Sequence, residues 1–106
     1  MRTLYEPPNE AITLTGIFHA LSDPVRLEML HEIAGAGETP CGTLKPEMPR
    51  STISHHLKVL REAGLTRGRT DGTLRFVSLR RKDLERRFPG LLKTILKVSE
   101  EGWGAS

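Results

Sequence analysis

Residues 49–65 constrain this 106-residue chain more than any other stretch, because they carry the pattern of an amphipathic helix that ends at a glycine. Four residues spaced at i, i+3, i+4 and i+7 share one helix face: Ile53, His56, Leu57 and Leu60. Five others carry groups that can hydrogen-bond to base edges or phosphates: Ser51, Thr52, Ser54, His55 and Lys58. Gly64 tolerates the positive φ that a helix C-terminus often needs. By itself, the pattern also fits an ordinary surface helix.

The stretch that follows, residues 66–79, predicts a β-hairpin. Asp71-Gly72 lies between two short β-prone runs, and glycine accepts the positive φ that such turns require. Three arginines lie along the hairpin: Arg67, Arg69 and Arg75. A hydroxyl-rich helix followed directly by an arginine-bearing hairpin is the layout of a winged helix-turn-helix that binds double-stranded DNA. We expect the helix to enter the major groove and the arginines to bind neighbouring phosphates or the minor groove.

Positive charge is concentrated in this helix-and-hairpin region. Residues 50–82 contain nine Lys or Arg and two acidic residues, whereas the rest of the chain contains seven basic and eleven acidic residues. The formal net charge of +3 therefore combines a strongly basic half with an acidic one. This asymmetry is expected of a protein that meets a polyanion on one face.

The same region resembles the ArsR/SmtB family of bacterial repressors. The resemblance rests on Ser54-x-His56-Leu57-x-x-Leu60-Arg61-x-Ala63-Gly64-Leu65, on Arg67, Gly72 and Leu79 after it, and on Leu21-Ser-Asp-Pro-Val-Arg26 before it. It implies a winged helix-turn-helix that is mainly α-helical with a small β-hairpin and works as a homodimer. Such a dimer would bind a palindromic operator, with its two recognition helices about 34–36 Å apart.

Upstream of this region, the apolar spacing predicts two helices and a short turn. The first covers residues 10–21, and the second runs from Asp23-Pro24, an N-cap followed by proline, to about Ala34. The second helix should turn four residues inward: Leu27, Leu30, Ile33 and Ala34. Residues 40–48 occupy the place of the first helix of the helix-turn-helix, with Leu44 as its buried anchor. Gly42 and Pro46 weaken a helix there, so we expect a single turn.

The last part of the chain predicts a helix that packs against a second subunit. Residues 80–87 form a charged helical turn or two, and Phe88-Pro89-Gly90 should break it. The following apolar face is too large for a lone helix at a chain end, which indicates an interface across a two-fold axis. The family resemblance adds the first helix to that interface. The residues expected at the dimer interface are Leu14, Phe18, Leu91, Leu92, Ile95 and Leu96.

The sequence contains no constellation that would predict an enzyme, a metal site or a cofactor. Ser51 and Ser54 lie near His55 and His56, but residues on one exposed helix lack the converging groups that catalysis needs. Adjacent helical histidines point in different directions and cannot easily share one ion. His19 and His31 are solitary, and we interpret them as structural or exposed. No effector is indicated by these residues.

Cys41 leaves two interpretations open, since a lone cysteine is either a small packed residue or a thiol sensor. The resembled family's metal sensors place a pair of cysteines near this position, whereas this chain has one. A metal-responsive repressor is therefore disfavoured, and so we expect zinc to have little effect on operator binding.

A further alternative is a winged helix that contacts proteins and has no DNA target. The charge asymmetry and the arginine-bearing hairpin argue against this alternative.

A chain of this length fits one domain. We divide it into an extended arm at residues 1–9, a winged-helix domain at residues 10–98 and a loose tail at residues 99–106. The N-terminus lacks the apolar stretch of a signal peptide, and no apolar run approaches the ~18 residues needed to cross a bilayer. We expect a cytoplasmic protein that does not bind membranes.

Overall fold

Five α-helices and one three-stranded antiparallel sheet make up the described part of the chain, residues 5–100 of the computed structural model. The helices are α1 (Leu14–Ala20), α2 (Pro24–Ala36), α3 (Arg50–Glu62), α4 (Arg81–Arg87) and α5 (Leu91–Ser99). The strands are β1 (Thr39–Pro40), β2 (Thr66–Asp71) and β3 (Leu74–Leu79), with β3 in the centre. The predicted fold class is confirmed: the described chain is mainly α-helical, with a β-hairpin directly after α3. No described helix could span a bilayer, since the longest have 13 residues.

The first helix is shorter than the apolar spacing predicted. Asn9–Ala11 form a separate 3₁₀ turn, and α1 begins only at Leu14. Between them, Ile12 is extended and 1% exposed, and the Thr13 side chain accepts a hydrogen bond from the Gly16 amide at 3.0 Å. The predicted start at residue 10 was wrong because Thr13 caps the helix, which leaves Ile12 outside it to fill the core.

The second helix begins where its sequence predicted. The Asp23 carboxylate accepts hydrogen bonds from the amides of Val25 and Arg26, and Pro24 is the first helical residue. Partial burial alone would raise the pKa of Asp23, but these hydrogen bonds and the Arg26 charge outweigh it and lower that pKa. The cap therefore stays ionised near neutral pH.

The buried face of α2 differs in part from the predicted one. Leu30 and Ile33 are fully buried as expected, whereas Leu27 and Ala34 are half-buried and Met29 is buried in their place. Helix α2 packs against both α3 and β3, so its core face is wider than one stripe of apolar side chains. Single-helix periodicity does not reveal which neighbours a helix has.

The segment between α2 and α3 contains one confirmed prediction and one omission. Cys41–Thr43 form a single 3₁₀ turn where the first helix of the helix-turn-helix was expected to be short, and Leu44 is buried behind it. Strand β1 was not predicted. It pairs with β3 through Thr39 and Val77, so the sheet has three strands. Two residues are too few for any alternation of polar and apolar positions to be visible.

Helix α3 and the hairpin follow the sequence prediction closely. Ile53, His56 and Leu60 are buried, and Leu57 is half-buried. Strands β2 and β3 pair along their whole length, and their last pair is Asp71 with Leu74. The loop between them therefore has two residues, of which the first, Gly72, has a φ of 63°. Within the described chain, this hairpin forms the wing.

The C-terminal helices are separated as predicted. Helix α4 ends at Arg87, Gly90 has a φ of 81°, and α5 begins at Leu91. The core collects apolar side chains from all five helices and from β3. Residues 101–106 of the predicted tail lie outside the described residues, while Ser99 ends α5 and is buried.

The described part of the predicted arm is hydrogen-bonded to α4 and the residue before it. The Arg80 guanidinium donates to the Pro7 carbonyl at 2.7 Å, and the Asn9 amide group donates to the Asp83 carbonyl at 3.0 Å. Residues 1–4 lie outside the described residues. The division into arm, domain and tail stays a prediction.

Replacing Gly64 by Ala should strongly destabilise the fold. Gly64 has a φ of 89°, and a Cβ there would lie 2.5 Å from Cγ1 of the buried Ile12. A non-glycine residue at positive φ costs about 1–3 kcal/mol, and overpacking a core costs about the same amount. We therefore expect the free energy of unfolding to decrease by about 2–5 kcal/mol. Denaturant unfolding followed by circular dichroism would measure it.

Gly35→Ala is the matched control for that substitution. Gly35 lies in α2, and an added Cβ would meet nothing within 4 Å. We expect the free energy of unfolding of this variant to increase by about 0.5–1 kcal/mol, because alanine is more favourable than glycine inside a helix. Equal effects of the two substitutions would contradict the close approach of Ile12 to Gly64.

Candidate nucleic-acid interface

One face of α3 is exposed and carries only small polar or basic groups at the positions that the sequence singled out. Four of these side chains are exposed and one is half-buried: Ser51, Ser54, His55 and Lys58, with Thr52 as the half-buried one. Within residues 5–100, none of the five side chains is used in a hydrogen bond or an ion pair. The structure thus leaves their donors and acceptors available to an external partner.

The opposite face of α3 is fixed by a buried polar network around Arg26. Arg26 is 9% exposed, and its guanidinium donates from Nε to the Ala20 carbonyl at 2.6 Å and lies 3.2 Å from His56 Nδ1. A guanidinium can only donate, so His56 Nδ1 must be the acceptor and its ring must be neutral. This network connects the end of α1, the start of α2 and the middle of α3. Sequence reasoning placed His56 inward correctly and did not identify Arg26.

The His56 ring is held in its neutral form by its surroundings. Burial lowers its pKa below 6.5, and the positive charges of Arg26 and His55 lower it further, while Asp23 partly opposes them. A proton on His56 would remove the acceptor that Arg26 uses and place two positive charges in contact.

Arg50, the first residue of α3, holds the short turn that precedes it. Its guanidinium donates to the carbonyls of Leu44 and Lys45, both at 2.8 Å, and makes longer contacts at 3.4 Å with those of Cys41 and Met48. A full helix would have satisfied such carbonyls internally. The weak helix signal at residues 40–48 is therefore the sequence clue to this role, which sequence reasoning missed.

Lys45 fastens the same turn to α2. Its side chain is 9% exposed, forms an ion pair with Glu28, and lies 3.5 Å from a carboxylate oxygen of Glu32. Its backbone φ is 44°, an unusual value for a residue with a side chain. The turn is thus held from α2 by ion pairs and from α3 by hydrogen bonds, which fixes where α3 begins.

The three wing arginines differ in what they already bind. Arg67 lies 3.1 Å from an Asp83 carboxylate oxygen, and Arg69 makes two hydrogen bonds of 2.8 Å with Glu38. The Arg69 guanidinium also covers the Phe76 ring at 4.6 Å and, by hydrogen bonding, lowers the pKa of Glu38. Arg75 is exposed and has no hydrogen bond or ion pair within the described chain. Its charge is the one that remains uncompensated.

The six residues predicted at a dimer interface have different degrees of exposure. Leu14 and Phe18 on α1 are 41% and 51% exposed, whereas Leu92 on α5 is 7% exposed and packs within its own subunit. The other three are half-buried: Leu91, Ile95 and Leu96. Ile17 of α1 lines one narrow groove together with Leu91, Leu92 and Ile95 of α5, so the two helices meet at this groove.

Cys41 is half-buried at the edge of the sheet. Burial raises the pKa of its thiol, although the nearby Arg75 charge partly opposes that effect. Less thiolate is then present at neutral pH, which makes the sulfur a poorer nucleophile and metal ligand. Among residues 5–100, no three His, Cys, Asp or Glu side chains come together as a metal ion would require.

Comparisons with known proteins agree with this geometry. A family model described as a helix-turn-helix domain matches residues 21–69. An HTH-type transcriptional regulator of Bacillus subtilis, YceK, is 42% identical over 82 residues, which cover 74% of this chain and 82% of the relative. The arsenical resistance operon repressor of the same organism is 32% identical over 87 residues, covering 80% and 83%.

A solved structure shows the same architecture. The homodimeric winged helix-turn-helix DNA-binding domain of Mb0332 from Mycobacterium bovis, a possible ArsR-family regulator, superposes with a TM-score of 0.68 at 25% identity. The alignment covers 84% of this chain and 80% of that one. NolR from Sinorhizobium fredii superposes with a TM-score of 0.64 at 25% identity, covering 86% and 85%.

Acidification should destabilise the protein through His56. The folded-state pKa is lowered, so the unfolded chain, whose histidine pKa is about 6.5, takes up the proton first as the pH falls. The free energy of unfolding should be constant above about pH 6.5 and should decrease below it, towards the folded-state pKa. His56→Gln, which keeps an acceptor for Arg26 and cannot titrate, should flatten that decrease in denaturant titrations.

His19→Gln provides the control, because His19 is exposed on α1 and has no part in the Arg26 network. We expect it to follow the pH dependence of the unmodified chain. If His56→Gln followed that dependence too, the buried network would not be its source.

Proposed function

The chain belongs to the ArsR family of winged helix-turn-helix transcriptional regulators, and from this we propose that it acts as a homodimeric repressor of a palindromic operator. The observation that carries the proposal is the exposed polar face of α3, whose hydroxyl, imidazole and ammonium groups have no partner among residues 5–100. A buried network fixes the other face of α3. A rigid helix with an unused polar face is what reading of a major groove requires.

In the proposed complex, α3 supplies the base and phosphate contacts. Ser51, Thr52 and Ser54 can donate to phosphates or accept from bases, His55 can do either, and Lys58 suits a phosphate or a guanine edge. The positive N-terminal end of α3 and the exposed Lys58 would favour approach to the DNA backbone.

The wing would contact the flanking backbone or the minor groove through three arginines: Arg67, Arg69 and Arg75. The three arginines differ in how readily they can bind a phosphate, because two of them form ion pairs in the free protein. Arg75 can bind a phosphate at no internal cost, whereas Arg69 must first give up Glu38 and Arg67 must give up Asp83. Exposed ion pairs are weak, so DNA can replace them.

The dimer interface is proposed at the surface that α1 and α5 share. Leu14 and Phe18 are large apolar side chains left exposed on α1, and Val98 on α5 is 59% exposed. Leu91, Ile95 and Leu96 add apolar area from α5. Two copies of such a surface can bury each other across a two-fold axis. Leu92 would then act by supporting α5 from inside rather than by contacting the partner.

A two-fold axis explains why the operator should be palindromic. Each half-site would receive one α3, and the two helices would sit about 34–36 Å apart, one turn of DNA. A signal that changes this distance or angle would release the DNA. A DNA-binding function supports the cytoplasm as the place where we expect the protein to work.

A thiol-responsive repressor is the alternative for Cys41. The raised pKa of this thiol argues against it, since oxidants react with the thiolate. We therefore assign Cys41 a packing role.

DNA binding should depend steeply on salt, and Arg75 should account for more of that dependence than Arg69. If each subunit neutralises three to five phosphates, the slope of log K against log salt should lie between about −5 and −9. Arg75→Gln should flatten the slope by about two per dimer. Arg69→Gln should flatten it less, because Arg69 is already paired with Glu38 and so neutralises a DNA phosphate less completely than Arg75 does.

Gel shifts on the DNA upstream of the protein's own gene, at several salt concentrations, would measure both variants. A slope near zero in the unmodified protein would contradict DNA binding as proposed. Equal slopes for the two variants would contradict the ranking of the arginines.

Phe18→Glu should separate the subunits while leaving each one folded. Phe18 is 51% exposed in the single chain, so a charge there costs little until a partner covers it. We expect sedimentation to change from dimer to monomer, with an unchanged circular dichroism spectrum and greatly weakened operator binding. Leu74→Glu makes a similar change at the wing, where Leu74 is 58% exposed, and should leave the dimer intact. A dimeric Phe18→Glu variant would exclude α1 from the interface.

A further inference from the structure

A cleft of about 160 Å³ lies between α3 and the wing. From α3 the cleft is lined by Ser54, at the edge of the exposed polar face, and by Leu57. Strand β3 lines the other side with Phe76 and Val77. Ile53 and Val77 are buried, while Leu57 and Phe76 are half-buried and so still present apolar surface to the cleft. The cleft therefore has apolar walls and opens beside the proposed DNA-binding surface.

The charged side chains that line this cleft are all of one sign, and the Glu6 carboxylate lies next to it, where it accepts a hydrogen bond from the Gly68 amide at 2.8 Å. Four arginines line it and no carboxylate does: Arg50, Arg61, Arg69 and Arg75. The Arg69 charge is offset by Glu38 outside the cleft. Arg50 and Arg61 donate to backbone carbonyls, which are neutral and so do not offset the arginine charges. Neither arginine has an acidic partner within residues 5–100. Arg75 has no partner in that range at all.

The Arg75 guanidinium is the group placed to receive an anion. It lies on β3 opposite Thr70, and both residues line the cleft together with Cys41. Arg50 is held in place by the four carbonyls that it contacts, so it supplies a fixed positive charge. Arg61 uses only its Nε, on the Tyr5 carbonyl, so it adds positive charge and keeps its terminal donors. A guanidinium with free donors is well suited to bind a carboxylate with two parallel hydrogen bonds.

The size of the cleft limits the body of the ligand. A cavity of about 150 Å³ with apolar walls is large enough for one benzene ring. A bare inorganic anion would leave those walls in contact with water, and a neutral ring would leave the arginine unpaired. We propose that the cleft binds a small organic monocarboxylate, an anion with a single aromatic ring or a body of similar size, with its carboxylate on Arg75 and its apolar part against Leu57 and Phe76.

Binding at this site would act on the DNA contacts, a consequence that rests on the proposed function. The cleft separates α3 from the wing, and both elements are proposed to hold the operator. A ligand bound in the cleft would fix the distance between α3 and the wing. Its carboxylate would also neutralise Arg75, the wing arginine that is free to bind a phosphate. The occupied cleft should therefore weaken operator binding.

The first experiment tests the site without DNA, using benzoate as the probe. In ¹H–¹⁵N spectra of the full chain, benzoate should give saturable shifts confined to amides around the cleft, such as those of Leu57, Thr70 and Phe76. Phosphate carries a negative charge but has no ring, and benzyl alcohol has the ring but no charge. Neither compound should therefore give saturable shifts at the concentrations at which benzoate does. Arg75→Gln should abolish saturation, whereas Lys58→Gln, which removes a charge from α3 outside the cleft, should not.

Three results of this experiment would overturn the site. They are the absence of saturable shifts with benzoate, the same shifts with phosphate, and unchanged binding in Arg75→Gln. The last two would indicate a general attraction of anions to a basic surface.

The second experiment tests the consequence for DNA. At saturating benzoate, operator affinity should decrease at least about fivefold relative to chloride at the same ionic strength, which is the lower end of typical coupling between sites. Arg75→Gln should bind DNA more weakly and show no response to benzoate. Benzoate binding with unchanged operator affinity would overturn the regulatory part alone. Failure to bind DNA without benzoate would instead overturn the proposed function, and the spectra would still decide whether the site exists.

Discussion

The buried guanidinium of Arg26 is the contact on which the arrangement of the helix-turn-helix depends. It closes the end of α1 through the Ala20 carbonyl and reaches His56 in the middle of α3, while its own backbone amide completes the cap of α2. Three helices thus meet at one side chain. A buried charge is tolerated only when its donors are used, and Asp23 lies 3.9 Å away as a partial counterion. The direction in which α3 presents its polar face follows from this junction.

The sequence predicted features that depend on neighbours along the chain. Helix α3, the hairpin turn at Gly72, the break before Leu91 and the short turn before α3 each have a local physical signal, such as helical spacing or a glycine at positive φ. The family resemblance supplied their order as a winged helix-turn-helix. The exposed polar face of α3 was also predictable, since burial of Ile53, His56 and Leu60 leaves the other side to solvent.

What could not be predicted depends on residues far apart in the chain. The partners of the wing arginines, Glu38 and Asp83, lie 31 and 16 positions from Arg69 and Arg67. Strand β1 exists only because β3 offers it an edge. In the sequence, Arg50 is only one of the nine basic residues between positions 50 and 82, whereas in the structure its donors bind the turn. Charge patterns give the sign of a surface but not which charges are already paired.

The turn between β1 and α3 has a consequence for how the chain folds. Its carbonyls are satisfied by the Arg50 side chain, and Lys45 finds its carboxylates on α2. The turn has few backbone hydrogen bonds of its own, such as those from the Leu44 and Met48 amides to the Cys41 and Lys45 carbonyls, so its order depends strongly on the two flanking helices. It should therefore behave as a late-forming, early-opening unit within a more stable domain. The helix proposed to read DNA would then begin at a part of the molecule that becomes native late.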